Sequence, residues 1–260
     1  MPCVVYMHGN QGSWVDALPV VAALLPEICV LSFDFSGSGL SDGEYVSLGW
    51  YERDDLETVV AYLRGTGKIS TIGLWGRSMG AVTAIMYCSQ DPLIGGMVLD
   101  SPFSSLKTLI EELCKRHSAI PLFVCRLALK FIRNTIRWKV GFDILQLETT
   151  KFAQQCYSPA LICFGTEDDF VLPKHGKLIA ANYAGDSNYI EIEGGHNSSR
   201  PQFLYDSALI FFHYTLQVKT LVKACEESPD KVINIQFDKT CFKELELVLK
   251  KNKASLVDFD

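Results

Sequence analysis

Residues 69–89 read ISTIGLW, GRSMG and AVTAIMYCS, and this stretch decides the fold. The apolar run before Gly76 is typical of a buried strand, and the run after Gly80 has the periodicity of a helix. The five residues between them match the pattern G-x-S-x-G. A sharp turn from strand to helix needs small residues two positions before and after the serine, because neighbouring backbone is crowded there. The stretch therefore predicts Ser78 as a nucleophile.

Ser78 has a simpler interpretation, since serine often caps the N-terminus of a helix. The bare pattern also arises by chance in about one chain in ten of this length, because glycine is common. The two interpretations are separated by the presence of a base and an acid that can activate the serine.

His196 has the setting of that base. It follows the strand-like YIEIE and a Gly-Gly turn, and it precedes a predicted helix. This places the imidazole on a late loop at the carboxyl ends of the strands, within reach of Ser78. The other histidines lie in a His-Gly turn or in helical stretches, where packed or solvated roles are commoner: His8, His117, His175 and His213.

The segment GTEDDFV follows the strand-like ALICF and offers a carboxylate. We predict that Asp168 orients His196, because the chain order serine, acid, histidine is the one expected of α/β-hydrolases. Asp169 is the nearest alternative, and Glu167 and Asp100 are weaker ones.

The loop HGNQG follows the strand-like CVVYM and is placed to form an oxyanion hole. In this prediction the backbone N–H groups of Asn10 and Met79 converge on the carbonyl oxygen of the substrate as it becomes negative. The alternative interpretation of the loop is an ordinary glycine-rich turn.

Short apolar runs alternate with helical segments along the chain, a pattern that predicts an α/β fold with a mostly parallel sheet flanked by helices. The predicted strands are 3–7, 28–33, 69–74, 97–99, 160–164 and 189–192. The predicted helices are 14–25, 51–64, 79–89, 174–183 and 201–216.

We read one domain, residues 1–216, followed by a charged and partly helical tail, residues 217–260. Helical periodicity also fills 106–136, within a gap between strands that is too long for a simple crossover. A helical lid insertion over about 102–150 is therefore expected. Its basic amphipathic sequence suits a lid packed on the core with a solvated basic face. It also suits the lining of an acyl pocket or contact with an anionic membrane.

Composition excludes several classes of function. The formal net charge of -6 gives no electrostatic basis for binding nucleic acid. Nine scattered cysteines without a C-x-x-C pair favour reduced thiols in the cytoplasm over disulfides or a metal site. The glycine-rich loop 34–43 lacks the spacing of dinucleotide-binding and P-loop motifs, so we expect no cofactor.

Four segments, DFSGSGLSDGEYVSLGW, TIGLWGRSMGAV, MVLDSPFSSL and GGHNSSRPQFLYDS, resemble a plant and protist branch of the α/β-hydrolase superfamily. More distantly the chain is similar to serine aminopeptidase-like and depalmitoylating hydrolases. The resemblance spans residues 3–213 and implies Ser78, Asp168 and His196 as a triad, with Asn10 and Met79 as oxyanion donors. Relatives usually carry two antiparallel strands before CVVYM, so we expect an unpaired sheet edge and reduced stability here.

Two hypotheses about function follow. The first is a serine hydrolase that cleaves an ester, thioester or amide of a small-molecule or acyl substrate through an acyl-enzyme. The second is a catalytically silent protein that uses the same fold for binding or scaffolding. Neither the acyl chain nor the oligomeric state follows from the sequence.

Overall fold

A parallel sheet carries the functional loops of the molecule. The computed structural model describes residues 1–117 and 121–218. Within them the sheet has six strands in the order β2-β1-β3-β4-β5-β6, and all neighbours pair in parallel. The strands are β1 (Cys3–Met7), β2 (Cys29–Ser32), β3 (Ile72–Arg77), β4 (Gly96–Asp100), β5 (Ala160–Gly165) and β6 (Ser187–Ile192). The predicted α/β class and parallel sheet are confirmed.

Helices connect these strands and cover both faces of the sheet. They are α1 (Leu18–Leu24), α2 (Glu52–Gly65), α3 (Met79–Cys88), α4 (Leu106–His117), α5 (Leu122–Lys139), α6 (Thr149–Ala153), α7 (Lys174–Asn182) and α8 (Gln202–Thr215). Short 3-10 turns precede α1 and α6, at Trp14–Ala17 and Ile144–Gln146. No helix among the described residues combines the length and the apolar character needed to cross a lipid bilayer.

Two predicted boundaries were wrong. The predicted helix 14–25 becomes regular only at Leu18, because Pro19 has no N–H and is best tolerated in the first turn of an α-helix. The predicted strand 69–74 lies three residues further along, at Ile72–Arg77. Pairing decides this shift, since Met7 of β1 lies opposite Gly76 and Asp100 of β4 lies opposite Arg77.

The core consists of two apolar layers, one on each face of the sheet. Side chains alternate along β1, so that Val5 joins one layer and Tyr6 joins the other. The first layer packs against α2, α3 and α7, and the second packs against α1 and α8. Because all the strands run in the same direction, the loops that follow them gather at one edge of the sheet.

The stretch between β4 and β5 contains α4 and α5, in the region predicted to be helical. Its role as a lid stays a prediction. The predicted helix in the tail, at 239–251, lies outside the described residues.

A buried histidine fastens α4 to α7. The Nδ1 atom of His175 accepts the backbone N–H of Ser104 at 3.2 Å, so the ring proton lies on Nε2 and is donated to Glu112 of α4 at 3.0 Å. Lys174 also contacts Glu112, at 2.7 Å. Burial lowers the pKa of His175, although the charge of Glu112 acts against this effect. The folded protein therefore favours the neutral ring.

This arrangement makes stability depend on pH. As the pH falls, the unfolded chain protonates His175 first, near its ordinary pKa of about 6.5. The stabilisation by neutral His175 is therefore present above that pH and lost as the pH falls through the lower folded pKa. We expect the advantage of wild type over His175→Gln in free energy of unfolding to shrink between pH 7.5 and 5.5, measured by urea titration. An advantage that stays constant would contradict this assignment.

Candidate active site

Ser78 lies at the turn between β3 and α3, at the carboxyl edge of the sheet. Its backbone has φ 51° and ψ -112°, a conformation that residues with a Cβ rarely adopt. The backbone N–H of Ser78 donates to the carbonyl of Asp100 at 2.7 Å, which joins the turn to the end of β4. The strained turn projects the serine hydroxyl into an open cleft.

The two glycines of the motif are required by backbone contacts. A Cβ on Gly76 would lie 2.3 Å from the carbonyl oxygen of Gly80, and a Cβ on Gly80 would lie 2.2 Å from that of Met7. Either methyl group would force α3 away from β3 or β1. The G-x-S-x-G spacing is thus a steric requirement of this turn.

The structure brings Ser78, His196 and Asp168 into one hydrogen-bonded chain. The Nε2 atom of His196 lies 3.1 Å from the hydroxyl of Ser78, and its Nδ1 lies 2.7 Å from Oδ2 of Asp168. A proton on Nδ1 is donated to the carboxylate, which leaves Nε2 free to accept the serine proton. The imidazole is therefore oriented as a base toward Ser78.

Asp168 is held in place by its own loop. Its side chain is fully buried, and its Oδ1 accepts the backbone N–H groups of Phe170 at 3.0 Å and Val171 at 2.7 Å. With Oδ1 engaged by these two donors, Oδ2 faces His196. The ring of Phe170 also packs against that of His196, with centroids 5.1 Å apart.

The alternative acids form no hydrogen bond with His196 among the described residues. Asp169 and Glu167 are exposed, although both belong to the same loop as Asp168. Asp100 is buried, and its two oxygens pair with Arg200 at 2.8 Å each.

The other described histidine side chains are engaged elsewhere. His213 contacts Glu27 at 2.6 Å, and His175 belongs to the network between α4 and α7. His8, the first residue of the HGNQG loop, is buried. Its ring donates to the Gly9 carbonyl at 2.7 Å and accepts the Phe35 N–H at 3.1 Å.

Two arginines that the sequence reasoning missed fix the loop of His196. Arg77 donates to the carbonyl of His196 at 2.8 Å, and Arg200 donates to it at 3.3 Å and to the carbonyl of Gly195 at 2.9 Å. Burial acts to lower the pKa of Arg200, but its hydrogen bonds with Asp100 and the charge of that acid raise it overall. The only sequence signals were the position of Arg77 inside the motif and the closeness of Arg200 to His196.

Of the two predicted oxyanion donors, Asn10 lines the cleft beside Ser78, and Met79 is the first residue of α3, directly after Ser78. Among the described residues, the backbone N–H groups of Asn10 and Met79 donate to no other group. The HGNQG loop turns tightly, with Gln11 at φ 64° and the N–H of Gly12 bonded to the Gly9 carbonyl at 3.0 Å. The cleft has a volume of about 510 Å³ and is lined by Gly9, Asn10, Gln11, Gly12, Asp16, Arg77, Ser78, Phe170, His196 and Asn197.

A family model described as serine aminopeptidase, S33, matches residues 2–138, more than half of the 260 residues. The chain belongs to this family. Its predicted membership of the α/β-hydrolase superfamily is confirmed. The S33 match includes Ser78 and ends before Asp168 and His196.

One curated sequence relative of this S33 protein is distant. YqkD of Bacillus subtilis (strain 168), itself described as uncharacterized, is 27% identical over 145 residues, which are 55% of this chain and 47% of YqkD. The chain thus spans about half the length of the curated relative it matches.

Solved structures share the fold over most of the S33 chain. The Pyrococcus furiosus esterase Pf2001 has a TM-score of 0.65 at 23% identity, covering 82% of this chain and 83% of that one. Est1E from Butyrivibrio proteoclasticus with bound ferulic acid has a TM-score of 0.62 at 16% identity, covering 84% and 90%. The Paleococcus ferrophilus monoacylglycerol lipase also has 0.62 at 16% identity, covering 82% and 94%.

The contact between Gly80 and the Met7 carbonyl can be tested with a matched pair of substitutions. We expect Gly80→Ala to lower the free energy of unfolding by about 1–3 kcal/mol or more, because the new methyl group overlaps the Met7 carbonyl. Gly65→Ala is the control, since a Cβ there meets nothing within 4 Å. Thermal melting of both proteins measures the difference, and equal melting temperatures would exclude the steric account.

The buried pair of Arg200 and Asp100 yields a second prediction for this site. Arg200→Met should cost about 3–5 kcal/mol, because it leaves the Asp100 carboxylate buried without its cation. Adding Asp100→Leu removes that uncompensated charge, so the double variant should be more stable than Arg200→Met alone. Urea unfolding of both proteins decides this, and a double variant with simply additive losses would argue against the pair as described.

Proposed function

We propose that this protein is a serine hydrolase that cleaves carboxylic esters or thioesters through an acyl-enzyme on Ser78. The observation that carries the proposal is the hydrogen-bonded chain from Ser78 through His196 to Asp168, built at a strained turn beside an open cleft. Serine, imidazole and carboxylate in this order form a recurring solution for acyl transfer.

In the proposed reaction, the Ser78 oxygen attacks the acyl carbon while Nε2 of His196 takes the hydroxyl proton. The tetrahedral intermediate collapses when the protonated imidazole gives that proton to the departing alcohol or thiol. Water then loses a proton to His196 and attacks the acyl-enzyme. The second tetrahedral intermediate releases the acid as His196 returns that proton to the Ser78 oxygen. Asp168 keeps the proton on Nδ1 and stabilises the imidazolium that forms.

The backbone N–H groups of Asn10 and Met79 are the proposed oxyanion donors. Both border the cleft or the serine turn, and neither has another acceptor among the described residues. Donors held in place by the backbone stabilise the developing negative charge without reorganising, and losing one typically costs about 10²–10³-fold in rate.

The cleft favours small acyl groups. Its lining contains one large apolar side chain, Phe170, among mostly polar groups and glycines. The similar structures described as esterases and a lipase favour esters over the amide bonds suggested by the family's name. A peptidase activity is the second candidate within this chemistry. The scattered cysteines, none of them in a C-x-x-C pair, favour a cytoplasmic location for the protein.

The competing hypothesis is a silent binding or scaffolding protein. A fluorophosphonate probe reacts with an activated serine and distinguishes the two directly. We expect it to label wild type and not Ser78→Ala. A folded wild-type protein that takes up no probe would favour the silent alternative.

Substitutions then test each role with a short-chain ester. Ser78→Ala and His196→Ala should each lower kcat by about 10⁴-fold or more, and the double variant should be scarcely worse, because residues that act as a unit are non-additive. Asp168→Asn should also cost orders of magnitude, since the amide favours the wrong imidazole tautomer.

Asp169→Asn is the matched control for the acid, because Asp169 is the exposed neighbour of Asp168. Its kcat should stay within about twofold of wild type. Multiplicative losses in the double variant, or a larger loss from Asp169→Asn than from Asp168→Asn, would overturn the assignment.

A further inference from the structure

Helix α5 carries large apolar side chains that point away from the protein. Phe123, Leu127, Phe131 and Trp138 are 73%, 59%, 72% and 83% exposed. Their spacing of four, four and seven residues places all of them on one side of the helix. We call these four residues the α5 outer face. Isolated exposed apolar residues are ordinary on a protein surface, whereas a row of three aromatic rings and a leucine marks an interaction site.

The orientation of α5 is fixed by its opposite side. Leu129 is 8% exposed and belongs to the first layer of the core, and the partly buried Ile136 packs against the same layer. Arg133 of α5 also pairs with Asp143 through two hydrogen bonds, in the segment that follows the helix. The α5 outer face therefore cannot turn toward the core without breaking these contacts.

The surroundings of the outer face are basic. The sequence of α5 contains five basic residues and no acid: Arg126, Lys130, Arg133, Arg137 and Lys139. Across residues 106–143 there are eight Lys and Arg against three Asp and Glu, in a chain whose totals are 24 and 30. Positive charge is thus concentrated beside the apolar row on an otherwise acidic protein.

Acids on neighbouring elements neutralise part of this charge. Glu111 of α4 contacts Arg126 at 3.1 Å, and Asp143 contacts Arg137 at 4.0 Å in addition to its pair with Arg133. Among the described residues, Lys130 and Lys139 form no ion pair. These two lysine side chains are therefore the cations most available to bind an external anion.

We propose that the α5 outer face docks the protein onto an anionic lipid surface. A helix lying in the membrane interface buries aromatic and leucine side chains among the acyl chains while Lys and Arg reach the headgroups. Each basic residue near such a surface strengthens binding by roughly fivefold. A second copy of the chain suits this face less well, because α5 packed against α5 would bring two basic helices together.

Vesicle flotation with the full chain tests the proposal. We expect the protein to float with phosphatidylcholine vesicles that contain 30% phosphatidylserine, and to bind pure phosphatidylcholine at least tenfold more weakly. Binding to the anionic vesicles should fall at least fivefold in 0.5 M NaCl, since salt screens the headgroup attraction. The emission of Trp138 should shift to the blue on binding, and the shift should vanish in Trp138→Ser.

Surface variants distinguish vesicle binding through the α5 outer face from nonspecific adsorption of the protein. Phe123→Ser with Phe131→Ser should weaken binding at least tenfold, and Lys130→Glu with Lys139→Glu should do the same. The controls are Ile210→Ser with Tyr214→Ser, which are 70% and 84% exposed on α8, and Lys68→Glu, an exposed lysine elsewhere. The controls should bind as wild type does.

The outcomes are independent of the proposed catalysis. Every α5 variant should hydrolyse a soluble short-chain ester at the wild-type rate, and Ser78→Ala should bind vesicles normally. Equal binding to neutral and anionic vesicles, or equal losses in the α8 controls, would overturn the proposal. So would a dimer, detected by sedimentation, that Phe131→Ser dissociates while no vesicle binding is found.

Discussion

The contact of Gly80 with the end of β1 sets the geometry on which the rest of the site depends. With no Cβ in the way, α3 starts directly above the carbonyl of Met7, and the chain turns from strand to helix within one residue. That turn aims the hydroxyl of Ser78 at His196 and makes Met79 the first residue of α3. The strain at Ser78 persists because the core on both sides of β3 fixes strand and helix independently.

A buried ionic network fixes the loop that carries His196. Arg200 joins the end of β4, through Asp100, to the backbone of Gly195 and His196. Burying this charge is costly by itself, and the multiple hydrogen bonds offset that cost. The network holds the loop that presents the His196 imidazole, as the Phe170 and Val171 amides hold the Asp168 carboxylate.

The sequence identifies those parts of the site that follow directly from local pattern. Ser78, Asp168 and His196 each come shortly after an apolar run, and parallel strands bring such positions to one edge. The shifted start of β3 could not be read locally, because it depends on pairing with β1 and β4. Arg200 meets a partner 100 residues away. The sequence leaves open whether the apolar side chains of α5 pack on the core or face outward, and only the packing shows that the α5 outer face is exposed.

The site is divided between the centre and the edge of the sheet. Ser78 follows β3, which is paired on both sides, whereas His196 follows β6, which pairs only with β5 among the described strands. Edge elements open locally at lower free energy than central ones. An opening of β6 would carry the imidazole away while the strained serine turn stayed intact. The contact between Ser78 and His196 is therefore less durable than the fold, and the hydrogen bonds from Arg77 and Arg200 to the His196 carbonyl counter that difference.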